Sequence, residues 1–470
     1  MRDLLLAGLL LGALPIIFMR PWVGILGWYL VGLMSPHRLA WGFMFSAPVA
    51  QLIAIATLAG LLFVKKAERR AIPFTPEVIL LVCLFAYFTL TSFYAWAYPW
   101  EMWEQMLKML LMTLVTMMLI SGQRKLFFLL LIVVVSLAFY GVKGGVFTLL
   151  SGGEYRVLGP RLSFIQGATN LALALVMVLP AILVTARAFR FGWVSLGQTI
   201  DKWRGVIGYG FYAAFWLTGL AAIFTYSRGA LLGLAAVAPF IFLKMSRKWL
   251  LIAVAAFAFG VIGLTAPDQL TQRAQTIQTY HEDHSAMQRL QAWGVNWNIA
   301  VENPMLGSGF SNASMDPDLW LSYANWIEPW AARPRAAHSL YFQLLGHHGF
   351  GGFFLFMALI TATLVSLARV RIKCRGRDEL RWIAEYAWAL QVGIIGYLVT
   401  GLFLDVAYYT LIYVFIAATV LMVREVKEYN LTGAPLGRVA GASAHEKPSR
   451  IAFPGFVRKE NRSYSRPSRN

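Results

Sequence analysis

Apolar residues along this chain come in long unbroken blocks, separated by short polar or basic punctuation. The blocks run near residues 4–19, 22–34, 47–64, 77–96, 105–121, 126–149, 167–186, 205–225, 229–244, 249–264, 350–369, 382–403 and 406–423. A hydrocarbon core about 30 Å thick is crossed by about 20 helical residues, which satisfy their own backbone polar groups. The alternation expected of a barrel strand is absent. The pattern predicts an all-α, polytopic integral membrane protein. Arg20-Pro21 breaks the first pair of blocks, which can be a tight hairpin or one interrupted element, so the count is about 12 or 13 spans.

Basic residues punctuate every second block. They gather at Lys65-Lys66-Ala67-Glu68-Arg69-Arg70, Arg124-Lys125, Arg187 to Arg204, Arg247-Lys248, Arg369 to Arg381 and the tail after Arg424. An even number of blocks separates successive clusters, so all can face the cytoplasm together, as basic loops prefer. The chain then divides into N-terminal transmembrane helices (1–264), a long loop on the other face (265–349), C-terminal transmembrane helices (350–423) and a basic cytoplasmic tail (424–470), whose later part is rich in Gly, Pro and Ser and is expected to be disordered.

The 265–349 loop is tryptophan-rich and slightly acidic, with Arg273, Arg289, Arg333 and Arg335 against Asp268, Glu282, Asp283, Glu302, Asp316, Asp318 and Glu328. Loops of that length are usually functional or disordered, and its patterning favours function. In "SAMQRLQAWGVNWNIAVENP", Ser285 is a candidate N-cap, Leu290, Trp293, Trp297 and Val301 recur at helical spacing, and Pro304 ends the run. "DPDLWLSYANWIEPW" predicts a second helix capped by Asp318. Both are expected to lie along the outer leaflet, with most tryptophans serving as lipid anchors.

Composition sharpens the class: 59% of the 470 residues are hydrophobic, 13% are charged, and mean hydropathy is +0.61. The net charge of +19 would suggest nucleic acid in a soluble protein. Here it follows from basic loops beside anionic lipid, and no nucleic-acid partner is expected. Cys83 lies in an apolar block and Cys374 among basic residues, so neither a disulfide nor a cysteine metal site is expected. The N-terminal "MRDLLLAGLLLGALPIIFMRPW" mimics a signal peptide but lacks a small-residue cleavage site, and is expected to be retained. No phosphate-binding Gly-rich loop, HExxH, CxxC or GxSxG is present, so nucleotide hydrolysis is not expected.

The remaining chemistry lies on the outer side. Arg228, in "TYSRGALLGL", stands at a helix start whose amides attract anions; it either snorkels to lipid phosphate or helps form an anion site. Arg156 and Arg161, in "EYRVLGPRLSFIQG", stand before another helix, with Glu154 or lipid as alternative partners. Arg289 is one turn from Trp293, whose ring can steady a guanidinium, or it belongs to a solvated face. His338 follows Arg333 and Arg335 and opens the helix leading to the next block; it is either a structural histidine or a base suited to neutral pH. His347 and His348, beside Gly346 and Gly349, read as turn features at a bend. "HEDH" with His281 and His284 offers metal ligands without a repeating spacing, and no metal is expected. Asp405, at the outer end of a block, either orients a ligand or is a helix-end charge. Arginines suit a pyrophosphate and a histidine suits an incoming hydroxyl.

"TYSRGALLGL", "MQRLQAWGVNWNIAVENPMLGSGF" and "HSLYFQLLGHHGFGG", in that order, resemble the O-antigen ligase and polymerase superfamily, in its lipopolysaccharide O-antigen ligase branch with O-glycosylation ligase-like members. The motif resemblance covers about residues 205–370. It implies a GT-C-like inverting glycosyltransferase of the bacterial inner membrane, acting at the periplasmic face and working as a monomer without metal, cofactor or ATP. It further implies an undecaprenyl diphosphate-linked glycan as donor and the lipid A–core oligosaccharide as acceptor. By position, His338 would be the general base and Arg161, Arg228 and Arg289 would hold the diphosphate, with Arg156, Arg335 and Asp405 as further candidates for the site. His338-Ser339 stands where many members have His-Asn, and His347-His348 falls outside the motif. Two related activities share that donor, O-antigen polymerase and protein O-oligosaccharyltransferase. A lipid-linked sugar transporter is the reading from another class; it would need ionisable groups near the midplane, with Glu385 the candidate.

Overall fold

The computed structural model describes residues 1–65, 68–245, 284–310 and 312–432, with 248, 249, 256 and 260 singly. All but three residues of the expected block at 249–264, the charges at 268, 273, 282 and 283, the ligand candidate His281 and the tail beyond 432 lie outside the described residues.

The described residues are helical, and the helices follow the apolar blocks closely. They are α1 Arg2–Met19, α2 Pro21–Met34, α3 Val49–Phe63, α4 Pro76–Phe93, α5 Trp100–Leu119, α6 Gln123–Leu150, α7 Gly167–Phe191, the short α8 Gln198–Lys202, α9 Arg204–Ile223 and α10 Arg228–Lys244. After the polar loop come α11 His284–Glu302, α12 Pro317–Ser322, α13 Leu340–Lys373, α14 Arg381–Thr400 and α15 Thr410–Thr432. Among the described residues, 7 helices are long and apolar enough to cross a membrane: α1, α4, α6, α7, α9, α13 and the helix containing α14. The remaining long helices are shorter, like the 17-residue α10, or carry charge, like α5 with Glu101, Glu104 and Lys108. The protein is thus a multi-pass helical membrane protein. Arg20 separates α1 from α2 as two helices meeting at Pro21, a proline suited to a first helical position.

The core is built around α7. Its run from Leu171 to Ala186 is buried on every side, packed by α6, α9, α10 and α14. A helix apolar all round belongs at the centre of a bundle. Thr185 and Tyr386 hydrogen-bond across that core at 2.7 Å. At one end of the bundle the basic punctuation caps helix-end carbonyls: Arg187 donates to Lys244 O at 2.5 Å and Arg424 to Met117 O at 2.7 Å. Glu385 also lies toward this end, one turn into α14, where Lys244 pairs with it at 2.6 Å. It therefore does not stand as a lone midplane carboxylate. The other end gathers the 151–166 turns, the start of α10, the 284–339 loop and the link between α14 and α15.

The helix α13 begins at Leu340, directly after the His338-Ser339 pair where the sequence places its start, and contains the Gly-rich bend within itself. Gly349 breaks it at φ 61° and ψ −168°. The groups freed by the break are met by the 303–309 loop: Phe350 N donates to Pro304 O, and Ser308 N and Gly309 N donate to Gly346 O and His347 O, each at 2.8 Å. Irregular backbone at membrane depth survives when protein satisfies it in this way. In the loop, Asp316 rather than Asp318 caps α12, accepting from Asp318 N at 3.0 Å and Leu319 N at 3.1 Å.

The helix α11 also turns the expected face outward. Leu290, Trp297 and Val301 are exposed, while Gln291, Ala292, Val295, Asn296, Ile299 and Ala300 are buried. Trp320 is fully buried against this inner face, so it is a core residue of the loop and not a lipid anchor.

Candidate functional site

Three segments bring arginines to one recess. Ser227 caps α10 through its side chain, accepting from Ala230 N at 3.4 Å, and so sets Arg228 at the first helical position, as its sequence setting predicts. Arg156 reaches across from the 151–166 turns, donating to Tyr226 O at 3.4 Å. Arg289 enters from α11. Together with Thr169, Thr225, Ser227, Ser285 and Phe403, these three guanidinium groups line a pocket of about 380 Å³, with no carboxylate among its described lining residues. Arg161 lies exposed on the neighbouring turn and lines neither this pocket nor the next.

A second pocket of about 210 Å³ adjoins the first, lined by Ser285, Gln288, Arg289, Arg335, Ala336 and His338. Ser285 and Arg289 belong to both walls. The recess is therefore bipartite, with arginines on one side, histidine on the other, and Arg289 between them.

His338 is held from several directions. Its Nδ1 lies 3.4 Å from Asp405 Oδ2. The backbone N–H groups of His338 and Ser339 and the charge of Arg289 also favour the ionised form of this carboxylate. Ser339 caps α13 without using its own side chain, so Asp405 supplies the negative charge at that helix start. Burial pushes the Asp405 carboxyl above its usual range, against the opposing pull of His338, those amides and Arg289. Trp293 donates to Ala337 O at 2.8 Å and stacks on Phe342 at 5.2 Å. Its ring thus braces the His338 segment, where the sequence suggested it would steady Arg289.

Backbone strain concentrates here. Among the described non-glycine residues, positive φ occurs at Ser35, Leu162, Tyr226 and His338. Leu162 adjoins Arg161, Tyr226 lies two residues before Arg228, and the last is the catalytic candidate itself. Left-handed backbone costs an L-residue about 1–2 kcal/mol, and such strain gathers where a side chain must be aimed.

His347 and His348 are more than turn residues. They sit inside α13, buried, in a chain of hydrogen bonds that can be followed atom by atom. Asn296 Nδ2 donates to Ala292 O at 2.7 Å, and that carbonyl can only accept. Asn296 Oδ1 therefore accepts from Asn312 Nδ2 at 2.7 Å. Asn312 Oδ1 then takes the Nε2–H of His347 at 3.0 Å, and His347 Nδ1 accepts from Tyr408 at 2.9 Å. Tyr408 in turn accepts from His348 Nε2 at 2.8 Å, leaving His348 Nδ1 to accept from Thr91 at 2.6 Å, where the Phe88 carbonyl, 3.0 Å away, competes for the same hydroxyl proton. Followed from the Ala292 carbonyl, the chain makes both rings neutral Nε2–H tautomers. The chain ties α11 to α4, α13 and the 404–409 link that carries Asp405.

A multi-pass helical protein with an arginine-lined recess beside a His–Asp pair is the class the fold and site define. Residues 213–357 match the family model described as O-antigen ligase, and residues 1–189 match one described as a family of unknown function (DUF5935). The region from α9 into α13 is thereby similar to the O-antigen ligase family, a match that supports the O-antigen ligase/polymerase superfamily. Arg228, Arg289, Arg335 and His338 fall within that match, Arg156 falls within the other, and Asp405 lies beyond both. No curated protein matches the chain.

Sequence reasoning underweighted Asp405 and missed Gln288, Asn296, Asn312 and Tyr408. The available signal for Asp405 was its place at the outer end of its block, level with the start of α13.

Proposed function

We propose that this protein is an inverting, GT-C-like glycosyltransferase of the bacterial inner membrane. It moves an O-antigen-type glycan from undecaprenyl diphosphate to a hydroxyl of the lipid A–core oligosaccharide, at the periplasmic face. The observation that carries the reading is the bipartite recess, in which Arg289 separates a three-arginine pocket from the His338–Asp405 pair. The match to the O-antigen ligase family model supports glycan transfer in general.

In this reading Arg156, Arg228 and Arg289 hold the diphosphate, with Arg161 at the rim. The acceptor oxygen attacks the anomeric carbon and forms the new glycosidic bond. The bond from that carbon to the diphosphate breaks, and its electron pair leaves on the phosphate oxygen. The acceptor proton passes to Nε2 of His338, because Nδ1 faces Asp405. Asp405 then balances the imidazolium. Fixed guanidinium groups stabilise the charge growing on the leaving group, so the chain's own residues account for the transfer. Attack opposite the leaving group inverts the anomeric centre.

Deleting the protein and resolving lipopolysaccharide on gels tests the reading. Loss of long-chain species with build-up of lipid-linked glycan is expected. Single-repeat lipopolysaccharide would instead mark a polymerase, and unchanged lipopolysaccharide would overturn both. In a reconstituted assay, Arg228→Gln and Arg289→Gln should raise the donor KM; unchanged donor affinity in both would remove the diphosphate site.

A further inference from the structure

The smaller pocket has an arginine of its own that the three-arginine pocket does not use. Arg335 Nη1 donates to Gln288 Oε1 at 2.6 Å and Nη2 to Trp330 O at 3.5 Å. Gln288 is locked in turn, its Nε2 donating to the same Trp330 carbonyl at 3.3 Å. These partners are all neutral. They fix the guanidinium in place without cancelling its charge, and its buried Nε has no partner. Among the described residues no carboxylate pairs with Arg335, and none lines the pocket. Arg289, by contrast, has its charge partly offset by Asp405. A guanidinium held rigid by neutral acceptors, with its charge left over, is a receptor prepared for an anion. It faces the same space as His338, where the acceptor hydroxyl must arrive.

We infer that this pocket is an acceptor subsite that selects a glycan bearing an anionic group, phosphate or carboxylate, close to the hydroxyl that is glycosylated. The inference rests on the glycosyl-transfer reading and adds to it the charge of the acceptor. Donor and acceptor anions are then sorted between two pockets: the diphosphate to Arg156, Arg228 and Arg289, the single acceptor anion to Arg335. Gln288 acts as a positioning residue, since it reaches the ligand only through the guanidinium it orients.

The test compares acceptor glycolipid before and after phosphatase treatment, and a third form carrying a uronate in place of the phosphate. The wild-type protein should prefer an anionic form, and the two anionic forms show whether phosphate or carboxylate is read. A charged hydrogen bond of this kind typically carries about tenfold or more in discrimination. Arg335→Gln should lower the anionic-to-neutral preference by about that factor and leave the donor KM, taken at saturating acceptor, as it was. Gln288→Ala, which keeps the charge but frees it, should lower the preference by less. Equal use of all three acceptors by wild type, or a rise in donor KM with the preference intact, would overturn the subsite. A second arm needs no turnover: glucose 6-phosphate, glucuronate and glucose are compared by thermal shift on wild type and Arg335→Gln. Stabilisation by an anionic sugar that the substitution removes supports the inference. Equal shifts from glucose, or anion-induced shifts unaffected by the substitution, sink it. Absence of transfer by wild type with every acceptor would count against the transfer reading, while the thermal-shift arm still decides the subsite.

Discussion

His338 stands at φ 48°, so any replacement must tolerate left-handed backbone as well as lose the imidazole. Asparagine visits that region most readily among residues with side chains. His338→Asn should therefore insert and fold while losing about 10²–10⁴-fold in transfer rate, the usual worth of a general base. Normal transfer by a folded His338→Asn protein would remove the base role. Asp405 carries a pH dependence in stability. Its folded-state pKa is raised by burial, so the protonated form is favoured in the fold. That contribution is complete below the unfolded value of about 3.9 and is lost as pH rises through the folded one. At neutral pH the buried carboxylate is thus kept at some cost. Asp405→Asn should hold or raise the melting temperature while lowering transfer rate. A fall in both would mean that Asp405 serves the fold rather than the reaction.

At the scale of the element, the break in α13 is the most exacting feature. Gly349 needs a left-handed φ, and a Cβ there would strike the Pro304 carbonyl that Phe350 N already uses. Gly349→Ala should cost about 1–2 kcal/mol in strain alone, visible as a lower melting temperature, with transfer falling as the 303–309 loop is displaced. A variant with wild-type stability and activity would show that the loop does not need the break. Helix ends such as Arg228 and Gly167 were legible in the chain, because apolar runs and N-cap chemistry are local. The inner face of α11 was not. Its exposed stripe of Leu290, Trp297 and Val301 looks like a core stripe, since a helix with an apolar solvent on one side reverses the soluble pattern. The chain from Asn296 through Tyr408 to Thr91 was out of reach for another reason. Its members come from five separated segments, and no local spacing announces hydrogen bonds between them.

Across the whole molecule, basic punctuation collects at one end of the bundle and the recess at the other. Periplasmic exposure of the recess is tested with single cysteines placed in a protein lacking Cys83 and Cys374. Arg161→Cys, on an exposed turn beside the recess, should react with a membrane-impermeant maleimide in intact spheroplasts. Glu379→Cys, exposed at the basic end, should react only after permeabilisation. The reverse pattern would invert the protein in its membrane. The even spacing of basic clusters made this two-ended layout readable from the chain, whereas the pairing of Asp405 with His338 joins positions with no sequence relation.

Arg289 and Ser285 stand in the walls of both pockets. A wall in common means that neither ligand meets an unaltered partner site once the other has arrived. The order of addition therefore becomes a measurable property. Initial rates at varied donor and acceptor should give intersecting lines, the mark of a ternary complex, and each substrate should change the apparent affinity for the other. Parallel lines would mean that the glycan rests on the protein between two half-reactions.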